Sequence, residues 1–278
     1  MVSVPEVLKM KQVRVLILIA VIALFINGCQ DVQENNVDQP SGGKVEEPKP
    51  AESVQPVKVE PPEPVNLDTD PALMGWWKFE ETAGTRAEDS SSYGRKGELK
   101  GEFTFDKDSV TGKVGNALRF DGKNGLVQIT GYKGVTGTKP RTLAAWIKSK
   151  RAVGVIADWG VEEPGAMWIV RFYRARPGAT PMGGYLYMND QINDDQWHHV
   201  AVVVAQADLP NLHDHVTLYL DGQEAEIHDI GLLDMWPIET GAEIDVRIGR
   251  GFQGAIDEVR IYERALSAEE IGKIKNVK

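Results

Sequence analysis

The chain has a single cysteine, Cys29, among 278 residues. No intrachain disulfide can form, so even in an oxidising compartment the fold must be held by packing and hydrogen bonds. Positive charge is also scarce: 31 Lys and Arg stand against 41 Asp and Glu, for a net charge of −10. That balance excludes the basic footprint on which a phosphate-backbone binder depends, so nucleic acid is not an expected partner. The chain also lacks a Gly-x-Ser-x-Gly elbow, a His-Glu-x-x-His helix and a phosphate-cradling glycine loop. Those are the motifs of acyl transfer, zinc hydrolysis and nucleotide binding. What remains is an ordinary globular composition, 42% hydrophobic and 26% charged, with enough apolar mass for one core.

The first residues read as an address. Lys9, Lys11 and Arg14 precede an uncharged apolar run from Val15 to Ile26, followed by Asn27, Gly28 and Cys29. A basic start, an apolar centre and a small residue at the end make a signal peptide. The run falls short of the roughly 20 residues that a spanning helix needs. Met10 offers a second start that keeps Lys11 and Arg14 in the basic region. The word Ile26-Asn-Gly-Cys29 resembles the bacterial lipobox. That resemblance implies that Cys29 is acylated, becomes the new N-terminus and holds the protein to a membrane through its lipid. Gln30 stands where inner-membrane lipoproteins carry Asp, which implies the bacterial cell envelope, at the outer membrane or cell surface of a two-membrane cell. The competing reading is an ordinary secretory cut beside Cys29.

Residues 29–71 carry Gln39-Pro-Ser-Gly-Gly43, Glu46-Glu-Pro-Lys-Pro50 and Val59-Glu-Pro-Pro-Glu-Pro64. Proline removes backbone donors and blocks helix, and low hydrophobicity leaves little to bury. A disordered Pro/Glu-rich linker is predicted, reaching about 3 Å per residue where it is extended. The expected organisation is therefore a signal peptide at 1–28, the linker at 29–71 and one domain at 72–278.

After Leu73 the text changes to short β-branched and aromatic runs, such as Thr142-Leu-Ala-Ala-Trp-Ile147, Trp168-Ile-Val-Arg-Phe-Tyr173 and His199-Val-Ala-Val-Val-Val204. Turn pairs separate them: Asp121-Gly122, Asn124-Gly125, Gly183-Gly184 and Asp221-Gly222. This is the pattern of an all-β sandwich or barrel. Asp221-Gly222 is the clearest hairpin signal, between Val216-Thr-Leu-Tyr-Leu220 and Gln223-Glu-Ala-Glu-Ile227. Ser267-Ala-Glu-Glu270 predicts a capping box opening a short C-terminal helix.

Eight words occur in order: Gly75-Trp-Trp-Lys-Phe-Glu-Glu81, Asp89-Ser-Ser-Ser-Tyr-Gly94, Ala117-Leu-Arg-Phe-Asp-Gly122, Ala145-Trp-Ile-Lys148, Gln196-Trp-His-His-Val200, Leu218-Tyr-Leu-Asp-Gly222, Ile248-Gly-Arg250 and Phe252-Gln-Gly-Ala-Ile-Asp-Glu-Val-Arg-Ile-Tyr262. Together they resemble the bacterial laminin-G-like, concanavalin-A-like jelly-roll domains over residues 73–278. The resemblance implies a two-sheet antiparallel jelly-roll sandwich with the first strand, near Trp77, beside the last, near Val259. Related jelly rolls include β-glucanases with a Glu-x-Asp-x-x-Glu strand. The nearest word here, Glu243-Ile-Asp245, has Ile248 where the second glutamate belongs. A retaining glycosidase needs two carboxyl groups about 5 Å apart, so binding is favoured over hydrolysis.

In similar domains a structural calcium joins the first loop to the last strand, which implies Asp89 and Asp257 as ligands, together with Asp121. Hard cations want several such oxygens, but the same residues serve as turn formers that cap backbone amides. The adjacent pair His198 and His199 would point to opposite faces of a strand. His213 and His215 would share a face but have no third ligand nearby.

Glycan binding needs aromatic faces beside polar groups. Trp159, Trp168, Arg171 and Tyr185 are the candidate ligand-binding residues, with Tyr173, Tyr187 and Arg174 close in sequence. Alternation puts Trp168, Phe172 and Arg174 on one side and Arg171 and Tyr173 on the other, so only one set can face a ligand. Trp76, Trp77, Trp146 and Trp197 are assigned to the core. Three functions follow: a surface-anchored carbohydrate- or glycoconjugate-binding module, a protein–protein adhesion or envelope scaffold module, or a degenerate glycoside hydrolase, which the missing second glutamate disfavours. An exposed line of aromatic residues favours the first, and a flat apolar patch the second.

Overall fold

The computed structural model describes residues 66–228 and 235–276. Cys29, the signal segment and the linker through residue 65 lie outside the described residues. The short runs form two antiparallel sheets. The first runs in spatial order Gln223–Glu224, Val216–Leu220, Trp197–Val204, Arg141–Lys148, Gln253–Tyr262, Asn116–Asp121 and Ser109–Thr111. The second runs Ile227–His228, Leu186–Met188, Arg176–Thr180, Met167–Tyr173, Val155–Gly160, Ile244–Ile248, Leu126–Ile129, Gly97–Lys100 and Arg86–Ala87.

The strand Gln253–Tyr262 is the axis of the first sheet. Arg141–Lys148 pairs along one edge of it. Its other edge is shared end to end by Asn116–Asp121, with Gln253 opposite Asp121, and Leu73–Trp77, with Val259 opposite Trp77. The first and last strands are thus neighbours, as the sequence resemblance implied. The change of partner coincides with a bulge: the register slips between Asp257 and Arg260, and Glu258 has φ +53°. A bulge bends its strand and re-aims the side chains on it.

Alternation then sorts the strands' residues between two hydrophobic clusters. Trp77, Phe120, Trp159, Trp168, Phe172, Ile256 and Val259 belong to the core between the sheets. The outer face of the first sheet holds a second cluster, where Trp76, Ala144, Ala201 and Tyr262 meet Leu67, Leu266, Ile271 and Ile274. The last two come from the helix Ala268–Lys275, whose capping box is the predicted one: Ser267 accepts from the Glu270 amide while Glu270 accepts from the Ser267 amide. The Arg264 guanidinium binds Glu270 as well and holds its carboxyl down at about 2.

Residues 66–71, assigned to the linker, are packed on the domain. Leu67 and Asp70 are buried, Tyr262 Oη donates to the Leu67 carbonyl at 3.2 Å, Arg260 reaches Asp68 at 2.6 Å and Arg264 reaches Asp70 at 2.7 Å. One apolar residue followed by two aspartates is enough to dock, because Arg260 on the last strand and Arg264 just after it receive the carboxylates. The Asp221-Gly222 hairpin forms with φ of +50° and +81°, but its return strand is only Gln223–Glu224. Ile227–His228 crosses to pair with Tyr187 and Met188 in the second sheet. His213 and His215 lie in the one-turn helix Leu212–His215, not on a strand.

His199 sits on the covered outer face, 3% exposed, edge-on to Trp146 with ring centroids 5.3 Å apart, and its Nδ1 has no partner among the described residues. Burial pushes its pKa down to about 3. A neutral buried histidine binds fewer protons than its unfolded counterpart, so its contribution is fully present above the ordinary value of 6.5 and is lost as pH falls toward 3. His199→Phe keeps a ring against Trp146 and removes the titration. In thermal melts, the variant is expected to lose less melting temperature than wild type between about pH 7 and pH 4. Equal losses would contradict this account.

Candidate functional site

Met167–Tyr173, Arg176–Thr180 and Leu186–Met188 are successive neighbours in the second sheet. Trp168, Val170 and Phe172 take the inner positions, and Trp159, opposite Trp168 in register, lies on the same side. Both tryptophans are fully buried. Trp159 Nε1 donates to the Val135 carbonyl at 3.0 Å, and Gly134 makes room for its ring. Trp159 and Trp168, expected as ligand-binding residues, are therefore core residues. The parity that takes Phe172 inward takes Trp168 with it.

The other parity points to the outer face, where Met167 and Ile169 are buried in a small cluster with Val155 and the far end of the strand is open. Arg171 is exposed, Tyr173 is 42% exposed and Tyr185 is half-buried. Tyr173, Tyr185 and Tyr187 form a cluster with ring centroids 5.4 Å (173–187), 5.7 Å (185–187) and 6.5 Å (173–185) apart, tilted by 31–40°. Gly178 pairs with both Arg171 and Tyr187. A Cβ there would stand 2.5 Å from a Tyr187 ring carbon, so the glycine leaves the space that the ring fills. Burial raises the pKa of the Tyr187 hydroxyl and keeps it a proton donor. The turn Arg174–Ala175 holds both residues at positive φ, +49° and +65°, positions usually given to Asn and Gly. It sets the Arg174 guanidinium 5.2 Å from the Tyr173 ring. This is an aromatic platform rimmed by two guanidinium groups. Flat rings offer stacking area to the apolar C–H faces of sugars, and guanidinium and phenol groups offer hydrogen bonds to hydroxyls.

The three aspartates expected to hold calcium are not brought together. Both Asp89 oxygens are engaged, accepting from the Trp76 amide at 2.8 Å, the Ser91 amide at 2.9 Å, Ser91 Oγ at 2.8 Å and the Arg95 amide at 2.6 Å. It builds the turn. Asp121 is exposed and caps the Lys123 amide at 2.8 Å. Asp257 is fully buried: its Oδ2 accepts from the Lys113 and Val114 amides at 2.8 and 2.9 Å, but its Oδ1 has no partner among the described residues. Burial first, with Glu258 and Glu80 adding to it, pushes the Asp257 carboxyl up to about 7. Among the described residues, no group of three or more His, Cys, Asp or Glu is placed to hold a metal ion. In the glucanase-like word, Asp245 is paired with Lys133 at 2.7 Å and Ile248 is buried in the core.

The laminin G family model described as the concanavalin A-like lectin/glucanases superfamily matches residues 121–272, more than half of the chain. The chain belongs to this family. Among solved structures, domain 4 of AbnA, a GH43 extracellular arabinanase from Geobacillus stearothermophilus, was determined in complex with arabinotriose. It is similar to this chain with a TM-score of 0.54 at 18% identity, covering 73% of this chain and 98% of that one. The binding domain of Paraclostridial Mosquitocidal Protein 1 gives a TM-score of 0.45 at 15% identity, over 72% of this chain and 53% of that one. The botulinum neurotoxin serotype D binding domain gives 0.43 at 14%, over 73% and 50%. At such identities the arabinanase domain is a likeness of fold alone. No curated protein matches the sequence.

Sequence reasoning missed two tryptophans in this lectin/glucanase-family domain. Trp236, 39% exposed, lines a cavity of about 440 Å³ with Glu163, Gly165 and Glu239. Trp197, expected in the core, is half-buried and lines another. The period-two alternation could have placed Trp197 outward, since Val200, Val202 and Val204 take the inner parity of its strand. The division between core and platform predicts opposite stability effects. Trp168→Ala is expected to cost about 3–5 kcal/mol, and Tyr173→Ala less than about 1 kcal/mol, read by chemical denaturation. Similar costs would refute the assignment of the two faces.

Proposed function

We propose that the domain is a non-catalytic carbohydrate- or glycoconjugate-binding module, held at the bacterial cell envelope by a lipid on Cys29. Its contact surface is the tyrosine platform. The observation that carries this reading is the outer-face tyrosine cluster between Arg171 and Arg174, in which Tyr173 is exposed, Tyr185 half-buried and Tyr187 a buried ring packed against both. Family membership supports it, since lectins and glucanases share this fold. The unpaired glucanase-like word argues for binding without turnover: a lysine holds Asp245, and an aliphatic residue fills the other catalytic position. A protein-binding module is the second reading, supported by the exposed Met182, Met235 and Trp236.

A glycan array followed by calorimetry on the mature chain tests the first reading. Tyr173→Ala and Arg171→Ala are each expected to weaken binding of any glycan hit by about tenfold or more, equivalent to about 1.4 kcal/mol. Hits that neither substitution affects would remove the platform from the site. An array without hits, together with capture of an envelope protein, would favour the second reading.

Calcium is retained in this proposal at Asp257 alone. Its Oδ1, unpartnered among the described residues and with Glu80 nearby, is the one feature of the expected trio suited to a hard cation. Calcium is expected to raise the melting temperature of the wild type and leave Asp257→Asn unmoved. The same null response in both proteins would end the calcium assignment.

A further inference from the structure

The outer face of the first sheet is only partly covered. The C-terminal helix closes it over Ala144, Ala201 and Tyr262. At the other end of the same strands a cavity of about 580 Å³ opens, and none of its lining residues comes from that helix. Its floor is one row across four strands: Trp197 opposite Lys148, Lys148 opposite Ala255, and Ala255 opposite Arg119. Residues in such a row project to the same side of a sheet. Their chain neighbours Ile147, Ile256 and Leu118 fill the core beneath. Ala255 is the small member of the row, so the floor is lowest between the two cations. Lys150 and Arg151, on the loop after Arg141–Lys148, add a wall.

Charge gives the cavity its character. Four cations, Arg119, Lys148, Lys150 and Arg151, line it with two carboxylates, Asp121 and Asp195, in a chain whose net charge is −10. Lys150 is paired with Asp195 at 3.3 Å, and Arg119 lies 3.4 Å from Asp108. The side chains of Lys148 and Arg151 have no such partner among the described residues. An aromatic ring face next to uncommitted cations is what a sugar bearing an acid group needs. The indole takes the apolar face of the ring, and the ammonium and guanidinium take the acid. The volume lies in the range of small-ligand sites.

We propose that this cavity is a second saccharide site, selective for acidic sugars that carry carboxylate or sulfate, with Trp197 as the stacking face and Lys148 and Arg151 as the anion-binding groups. It lies on the opposite outer face of the sandwich from the tyrosine platform and does not depend on that platform binding anything.

The probes are a galacturonate hexasaccharide for carboxylate, a heparin-derived hexasaccharide for sulfate, a neutral hexasaccharide and polyglutamate, each titrated calorimetrically into the mature chain. At least one acidic saccharide is expected to bind, with affinity falling between about 50 and 300 mM salt, while the neutral one fails to compete for the cavity. Lys148→Gln, Arg151→Gln and Trp197→Ala are each expected to weaken that binding about tenfold, at unchanged melting temperature for the two cation variants. Tyr173→Ala is expected to leave it intact, which separates this result from failure of the platform. Silence of both acidic saccharides, or binding indifferent to Lys148→Gln and Arg151→Gln, would overturn the proposal. Polyglutamate binding that survives Trp197→Ala would overturn it in favour of an acidic polypeptide ligand.

Discussion

The architecture depends on one strand having three partners. Gln253–Tyr262 is bonded along one edge to Arg141–Lys148 and along the other to two shorter strands placed end to end. A regular strand would present a single alternation to all three. The bulge at Glu258 allows Ile256 and Val259 both to face the core although three residues apart, an odd spacing that strict alternation forbids. It also turns Asp257, Glu258 and Arg260 away from the core. There Glu258 accepts from Trp76 Nε1 at 2.8 Å, and Arg260 stacks 3.7 Å from the Trp76 ring. The left-handed backbone at a glutamate is unfavourable, and these contacts help to hold it.

Both outer faces of the sandwich inherit their chemistry from this arrangement. On the first sheet, the helix Ala268–Lys275 and residues near Leu67 cover the end beyond the bulge, while the end before it stays open. On the second sheet, alternation leaves tyrosines and arginines outside and tryptophans inside. The chemistry that each outer face presents is therefore set by which side of a strand a residue occupies, more than by which loop it occupies.

That distinction explains what could be seen in the sequence. The turn pairs, the capping box and the pairing of Trp77 with Val259 were legible, because each rests on a local word or an ordered set of words. Arg171 and Tyr173 were legible as a pair sharing one face, because period-two alternation needs no tertiary information. Which face was outside was not legible, since Trp168 on one parity and Tyr173 on the other are both large aromatics. Trp197 was taken for core because it sits in a strand-like word, although the core begins only with the valines after it. Asp89 looked like a ligand because a carboxylate that caps amides and one that binds a cation have the same letter. Residues 66–71 were taken for linker because their docking depends on Arg260 and Arg264, almost two hundred positions away.

That docking has a mechanical consequence. Asp68 and Asp70 fasten the chain to Arg260 and Arg264 immediately before the strand Leu73–Trp77 begins. A pull arriving from the N-terminal side meets two ionic clasps and the buried Leu67 side chain before it reaches the ladder of the first strand. The clasps lie on the last strand and on the turn that leads into the terminal helix. Load would thus enter the sandwich at its most heavily bonded strand, and the edges of both sheets would be spared.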